Sequence, residues 1–494
     1  MDADVIVVGT GNAALCAALA ALDSGASVVL VDKADASLAG GNSRYTAGAM
    51  RFAYSGRDDL VGLLTDPADQ RLADADFGSY DESMFLADLV SFNEGAPATT
   101  EQRALVSESL DTVRWLAGHS VTFEPIWDRQ AYFVDGRHVF WGGLTLAAHG
   151  EGSGLVDAET AAVLARGGTM VLETEVTELV LESGSVVGVR VTDATGPREL
   201  RGSSVVLACG GFEADPEQRV AHLGWHWRGA KVRGTPHNTG AGIRLAIAAG
   251  AAAHGRYDAC HATPMDLHMA DFGNLDLPHV ERKNYRKICY FLGVMINADG
   301  DRFVDEGRDF RNYTYAQFGA AVLEQPGAFA WQVFDSKVEP YLYEEYRFHD
   351  ASFIEADTLD ELAEHLEGVD SVRALDTIRQ FNRAVDRDAS FDPTSKDGKA
   401  ASGVSPPKSN WAQTIDTPPF RAFPVTGGIT FTYGGLHVGD HGEVLREDGT
   451  AIEGLFACGE LVGGVFLAGY PGGSGLTSGA VFGRRAGNGA ARRA

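Results

Sequence analysis

The chain opens almost at once on four branched apolar residues, Val5-Ile6-Val7-Val8, followed by Gly9-Thr10-Gly11-Asn12-Ala13-Ala14. No other stretch limits the fold so strongly. A short apolar run ending in glycine reads as a buried strand, the Ala- and Leu-rich segment to about Ser24 as a helix, and Ser27 to Val31 as a second strand ending at Asp32. Strand, turn, helix and strand make a βαβ unit, which implies a parallel sheet. Gly9 would make the tight turn, Gly11 would let the backbone approach a pyrophosphate, and Ala14 would permit close packing of the helix. The N-terminus of that helix favours negative charge. Asp32, 23 residues beyond Gly9, suits a ribose hydroxyl. Asn12, Ala13 and Lys33 belong to the same expected dinucleotide surface.

A glycine turn of this kind also occurs in other α/β domains, and it does not separate NAD from FAD. The rest of the chain does. Val205-Val206-Leu207-Ala208-Cys209-Gly210-Gly211-Phe212 reads as a buried strand ending in a glycine pair. Gly454-Leu455-Phe456-Ala457-Cys458-Gly459-Glu460 reads as another, ending in glycine and an acid. A nicotinamide module needs no such return so far along the chain. Cys209, Gly210, Gly211, Gly459 and Glu460 are therefore expected at the cofactor, together with Val176.

Composition narrows the partners. The 494 residues carry a formal charge of −27, which opposes nucleic-acid or anionic-membrane binding and obliges an anionic substrate to find a local basic pocket. Sixty glycines against a usual share of about 7% indicate many tight turns and close backbone approaches. Five cysteines without a CxxC pair point to no iron–sulfur or zinc site, so no metal is expected. Neither a basic leader nor an apolar run of about 18 residues is evident. The expectation is a soluble, cytoplasmic protein.

The segments GTGNAALCAAL, VVLVDK, GGNSRYT, VVLACGGF and GLFACGE resemble the flavoprotein subunit family of succinate dehydrogenase and fumarate reductase. RFVDEGRDFRNYTYAQFG, PPFRAFPVTGGITFTYGGL and YPGGSGLTSGAVFGRRAG are most similar to its tricarballylate dehydrogenase branch, with 3-ketosteroid dehydrogenases as more distant relatives. The resemblance implies an α/β fold: a Rossmann-like, glutathione-reductase-type FAD domain (1–257 and 431–494) interrupted by an α+β cap (258–430) that traps the substrate against the flavin. It places Gly40, Gly41, Asn42 and Ser43 around the pyrophosphate and flavin, Glu460 at the ribityl hydroxyls, and Ser474, Gly475 and Leu476 at the start of a helix aimed at the flavin. No histidine stands in the GGNSRYT loop, where succinate dehydrogenases attach FAD, so the cofactor is expected to be non-covalent.

The activity so implied is α,β-dehydrogenation, or the reverse reduction, of a C–C bond beside a carboxylate or carbonyl, with an unidentified electron acceptor. Such chemistry needs a proton-transfer group, a hydride acceptor and donors for developing enolate charge. The family's proton-transfer arginine falls on Phe310, which leaves neighbouring Arg311 as the candidate. Two of its carboxylate ligands fall on Thr430 and Tyr470. His261, in CHATPMD, resembles a substrate-contacting histidine, and Arg44 and Arg51 are candidates for a carboxylate, although an arginine holding a loop would look the same in sequence. Tyr313 and Tyr315 read equally as core aromatics. The alternatives are a ketone-directed enzyme of the 3-ketosteroid dehydrogenase type, in which Tyr470 holds a carbonyl, and a non-enzymatic flavin subunit.

Overall fold

The computed structural model describes residues 2–273, 275–277 and 285–493. β1 (Val5–Val8) leads through Gly9 into α1 (Asn12–Asp23), and β2 (Val28–Val31) returns parallel to β1. Every residue of both strands is buried, as a parallel sheet covered on both faces requires. β3 (Thr169–Val171), β7 (Ser204–Leu207) and β15 (Ala451–Ala457) extend the sheet in parallel, and β14 (Glu443–Leu445) closes one edge antiparallel. The order is β14-β15-β7-β1-β2-β3. β4 (Glu175–Glu182), β5 (Ser185–Asp193) and β6 (Gly196–Arg201) form a separate antiparallel sheet. Because β1, β2, β7 and β15 are parallel, their carboxyl ends gather Gly9, Asp32, Cys209 and Gly459 at one rim, where ligands of open α/β sheets bind.

α4 (Ser474–Ala491) lies across α1 at backbone contact. A Cβ on Gly483 would stand 2.5 Å from the Ala13 carbonyl oxygen and one on Gly487 only 2.1 Å from that of Ala17, so only glycine lets the helices approach this closely. Asn12 Nδ2 donates to the Leu476 carbonyl at 2.8 Å and pins the start of one helix to the start of the other.

A second sheet is built on β13 (Phe420–Thr432). β9 (Cys260–Asp266), β11 (Phe329–Asp335) and β12 (Ile354–Ala356) pair with it antiparallel, and β8 (Lys231–Val232) pairs in parallel at its carboxyl end. β10 (Val294–Asn297) continues the sheet beyond β11. Val294, Ile296, Trp331, Ile378 and Phe381 belong to a hydrophobic core of its own. α3 (Arg311–Leu323) packs on β9 so closely that a Cβ on Gly319 would lie 2.6 Å from Thr263 N. α2 (Pro216–Leu223) opens with a proline and is capped by Asp215, as favoured at a helix start.

Candidate active site

A cavity of about 1340 Å³ runs from the rim of the parallel sheet to the end of β13 and the start of α3. Ordinary ligand pockets fall at roughly 300–1,000 Å³, so there is room for a large cofactor and a substrate. At the sheet rim the wall includes Gly9, Gly11, Asn12, Ala13, Asp32 and Lys33. Gly9 has φ +115° and a Cβ there would lie 2.5 Å from the Ala208 carbonyl oxygen. Gly11 is the N-cap of α1 and carries no side chain to satisfy the first turn, which leaves amide hydrogens for an anion. Asp32 is positioned by Thr10 Oγ1 (2.5 Å) and Ala34 N (2.9 Å). Val176, Cys209 and Gly210 also face the cavity.

Further along, Gly41, Asn42 and Ser43 form the wall. Asn42 is held from three sides, its Nδ2 donating to Thr430 O and Glu213 Oε1 at 2.7 Å each and its Oδ1 accepting from Thr235 N at 2.8 Å. Gly459, Glu460, Gly475 and Leu476 line the cavity where α4 begins. The N-cap of α4, Gly473 at φ +86°, again offers no side-chain cap. The cavity is thus flanked by two uncapped helix starts.

The other end is cationic. Arg129, Arg233, Arg286 and Arg311 reach the wall there beside Tyr315 and Tyr470. Arg286 pairs with buried Glu345 at 2.7 Å, and Arg129 lies within 3.6–3.7 Å of Glu151, Glu344 and Glu345. Burial alone would raise the Glu345 carboxyl, but Arg286 and Arg129 hold it down at about 2. Burial, reinforced by the Arg286 charge, brings Arg233 down to about 10. Arg311, the first residue of α3, lies against the rings of Trp141 and Tyr343 and donates to the Arg129 carbonyl and Asn312. Tyr315, one turn later on the same face, has its hydroxyl 2.5 Å from that of Tyr470. Five buried polar atoms of cavity-lining residues, Arg286 Nε, Arg311 Nε, Thr430 Oγ1, Tyr343 Oη and Tyr433 Oη, have no partner among the described residues. Each such group costs about 1–3 kcal/mol in a sealed interior, so their convergence on one cavity is the mark of a polar ligand site.

Several expected residues do not reach that surface. Ala14 is fully buried in the core. Gly40 is covered by the Arg44 side chain, Gly211 stands against Glu460, and Ser474 Oγ donates to Pro471 O. Arg44 donates from Nε to Ala39 O and pairs with Asp157 at 2.8 Å, which ties its own loop down. Arg51 likewise donates to Gly472 O and Gly142 O, and Tyr313 donates to Asp88. His261 is wholly buried, stacked on Phe431 and set edge-on to Tyr315 and Tyr470, with both ring nitrogens unpartnered among the described residues. It sits behind the two tyrosines rather than on the wall.

Burial, reinforced by the charge of Arg233, drives the His261 pKa well below its usual range. The folded chain therefore holds a neutral imidazole that the unfolded chain protonates below about pH 6.5. The melting temperature should fall on acidification through that pH, and His261→Phe should flatten part of the fall; an unchanged slope would remove the histidine as its cause.

The FAD binding domain family matches residues 4–476. The chain belongs to that family. A fumarate reductase (cytochrome) of Shewanella frigidimarina is 27% identical over 99% of this chain and 77% of its own length. An NADH:fumarate oxidoreductase of Klebsiella pneumoniae (strain 342) is 28% identical over 99% of this chain and 48% of its own, so the chain spans about half of that relative. A 3-oxosteroid 1-dehydrogenase of Mycolicibacterium smegmatis is 29% identical over 61% of this chain and 55% of its own length. Among solved structures, the open form of a flavocytochrome c3 fumarate reductase superposes with a TM-score of 0.73 at 25% identity, covering 99% of this chain and 78% of that one. The 3-ketosteroid Δ1-dehydrogenase of Sterolibacterium denitrificans gives 0.75 at 22% identity, covering 99% of both, and shows the shared fold.

FAD is accordingly the cofactor, and the residues present fit it: two uncapped helix starts, a glycine turn at the sheet rim, and Asp32 on the wall. Arg129, Arg233 and Arg286 escaped sequence reasoning. Arg233 follows a two-residue strand, and only the pairing of Val232 with Ile429 carries it to the cavity. No helix among the described residues is long and apolar enough to cross a membrane.

Proposed function

We propose that the chain is an FAD-dependent oxidoreductase that adds or removes hydrogen across a carbon–carbon bond next to a carboxylate, with a small polycarboxylate of the tricarballylate kind as substrate. The observation that carries this reading is the set of unpartnered buried donors beside four arginines in a protein whose formal charge is −27. Guanidinium groups recognise carboxylates through paired N–H donors, and a surface this acidic excludes anions elsewhere. Arg233 and Arg286 would hold carboxylates, Arg311 would transfer or relay the proton at the carbon next to one of them, and Tyr470 with Tyr315 would donate toward developing enolate charge. Bound FAD would accept or deliver the hydride. An electron acceptor must then reoxidise it, and the 258–430 segment would cover the substrate.

The aromatic surroundings of Tyr470, with Phe431 and Phe466 at ring distances of 5.4 and 5.3 Å, favour a second reading, a ketone held by the tyrosine. Anaerobic titration of the purified holoprotein separates the two. Tricarballylate or a similar polycarboxylate should bleach the flavin absorbance while a 3-ketosteroid does not; the opposite result transfers the activity to the ketone class. Acid precipitation should leave all flavin in the supernatant if attachment is non-covalent, and yellow pelleted protein would refute that.

A further inference from the structure

Behind the Asn42 wall two carboxyl groups meet, Glu213 wholly buried and Glu460 half-buried at the edge of the cavity. Glu213, on the turn after β7, and Glu460, on the turn after β15, lie within hydrogen-bonding reach of each other. Asn42 Nδ2 (2.7 Å) and Asn238 Nδ2 (2.6 Å) donate to Glu213 Oε1, while Thr432 N (2.6 Å) and Thr432 Oγ1 (2.9 Å) donate to Glu460 Oε1. Glu213 Oε2 is buried and receives no donor among the described residues. Glu460 is on the cavity wall; Glu213 is one layer behind.

Two groups titrating on neighbouring elements face the pair, Arg219 of α2 and Cys260 at the start of β9. Arg219 places its Nη donors on the Glu213 and Arg228 carbonyl oxygens (2.9 and 2.8 Å), so it makes no hydrogen bond to either carboxylate. The Cys260 thiol is pushed up by burial and by Glu213 and stays neutral. Two ionised carboxylates cannot both persist in contact inside a protein, and one shared proton removes the repulsion while supplying the missing donor.

We propose that Glu213 and Glu460 share one proton while the FAD is oxidised, and that the pair takes up a second from solvent when the FAD is reduced. Hydride transfer brings two electrons and one proton to the cofactor, leaving it one charge more negative. The pair answers by going from one acid and one carboxylate to two acids, consuming one solvent proton and no electron. Burial raises both carboxyl groups above their ordinary range; the charge of Glu460 raises Glu213 further, while hydrogen bonding to Glu213 and Thr432 opposes the rise at Glu460 without cancelling it, and the net direction agrees with uptake. Glu213 is thus a positioning residue acting through Glu460.

The test is the midpoint potential of the bound flavin against pH, measured spectroelectrochemically on the wild-type holoprotein and on Glu213→Gln. A second proton per two electrons steepens the slope by about 30 mV per pH unit. The wild type should show this added slope, and the glutamine variant, whose amide donates permanently to Glu460, should lack it. Equal slopes in two flavin-loaded proteins overturn the proposal. Should the variant lose FAD, seen directly in its absorbance, the redox-induced infrared difference spectrum of the wild type decides. A carboxylic-acid C=O stretch that grows on reduction and shifts in heavy water supports the pair, and a spectrum without one rejects it.

Discussion

Replacing Gly11 with glutamate is expected to give a folded chain that retains no FAD. Gly11 has an ordinary backbone conformation at φ −74°. A Cβ there would stand 3.4 Å from Ser43 Oγ and 3.5 Å from Gly40 O, contacts the fold tolerates. The rest of the glutamate side chain would extend into the cavity at the start of α1, occupying the pyrophosphate's place and setting a negative charge against it. A loss of about 4 kcal/mol already weakens binding a thousandfold, and steric exclusion adds to that. Gly9→Ala should fail differently: at φ +115°, with a Cβ 2.5 Å from the Ala208 carbonyl, it strains the backbone by about 1–3 kcal/mol before any clash is counted. The ratio of flavin to protein absorbance and the melting temperature of the apoproteins separate the two. Stoichiometric flavin in Gly11→Glu would remove this turn from the cofactor site.

Arg311→Ala should lower kcat/KM by at least roughly a hundredfold, the usual scale for losing a general acid or base, while FAD stays bound. Arg311 is buried to 7% exposure and carries an unpartnered Nε on the cavity wall. It lies one helical turn from Tyr315 on the same face of α3. The preceding Phe310 cannot carry a proton. If Arg311 instead anchors a carboxylate, KM should rise while flavin reduction at saturation stays fast. Tyr470→Phe then becomes informative, because it removes one hydroxyl of the Tyr315–Tyr470 pair. Near-wild-type rates in both variants would leave Tyr315 and Arg233 as the remaining sources of protons and charge.

The sequence made the first βαβ unit legible because local signals agreed there: branched apolar residues, a glycine turn and an alanine-rich helix all specified the same element. The last helix was legible only in part. Its start at Ser474 to Leu476 was expected, whereas nothing local marks its run to Ala491. Gly483, Gly487 and Gly489 read locally as helix breakers, and packing of the first two on α1 and of the third on the His441 carbonyl overrides that preference. The cationic end of the cavity was harder still. Arg233, Arg286 and Arg129 come from three unrelated segments, and no spacing in the chain records that they converge. Arg44 and His261 illustrate the reverse difficulty, since an arginine that fastens a loop and a histidine sealed behind two tyrosines present the same letters as ligands would.

The bond between Asn12 and the Leu476 carbonyl joins residues 464 positions apart, and Gly483 and Gly487 of α4 fit the backbone of α1. A ribosome releasing this chain would therefore expose the first apolar helix long before its cover exists. Loop closure over such a span is slow and leaves unpaired surface open to association. Removing the last turns of the chain would thus injure its beginning, and the damage should appear as aggregation during synthesis before it appears as weakened catalysis.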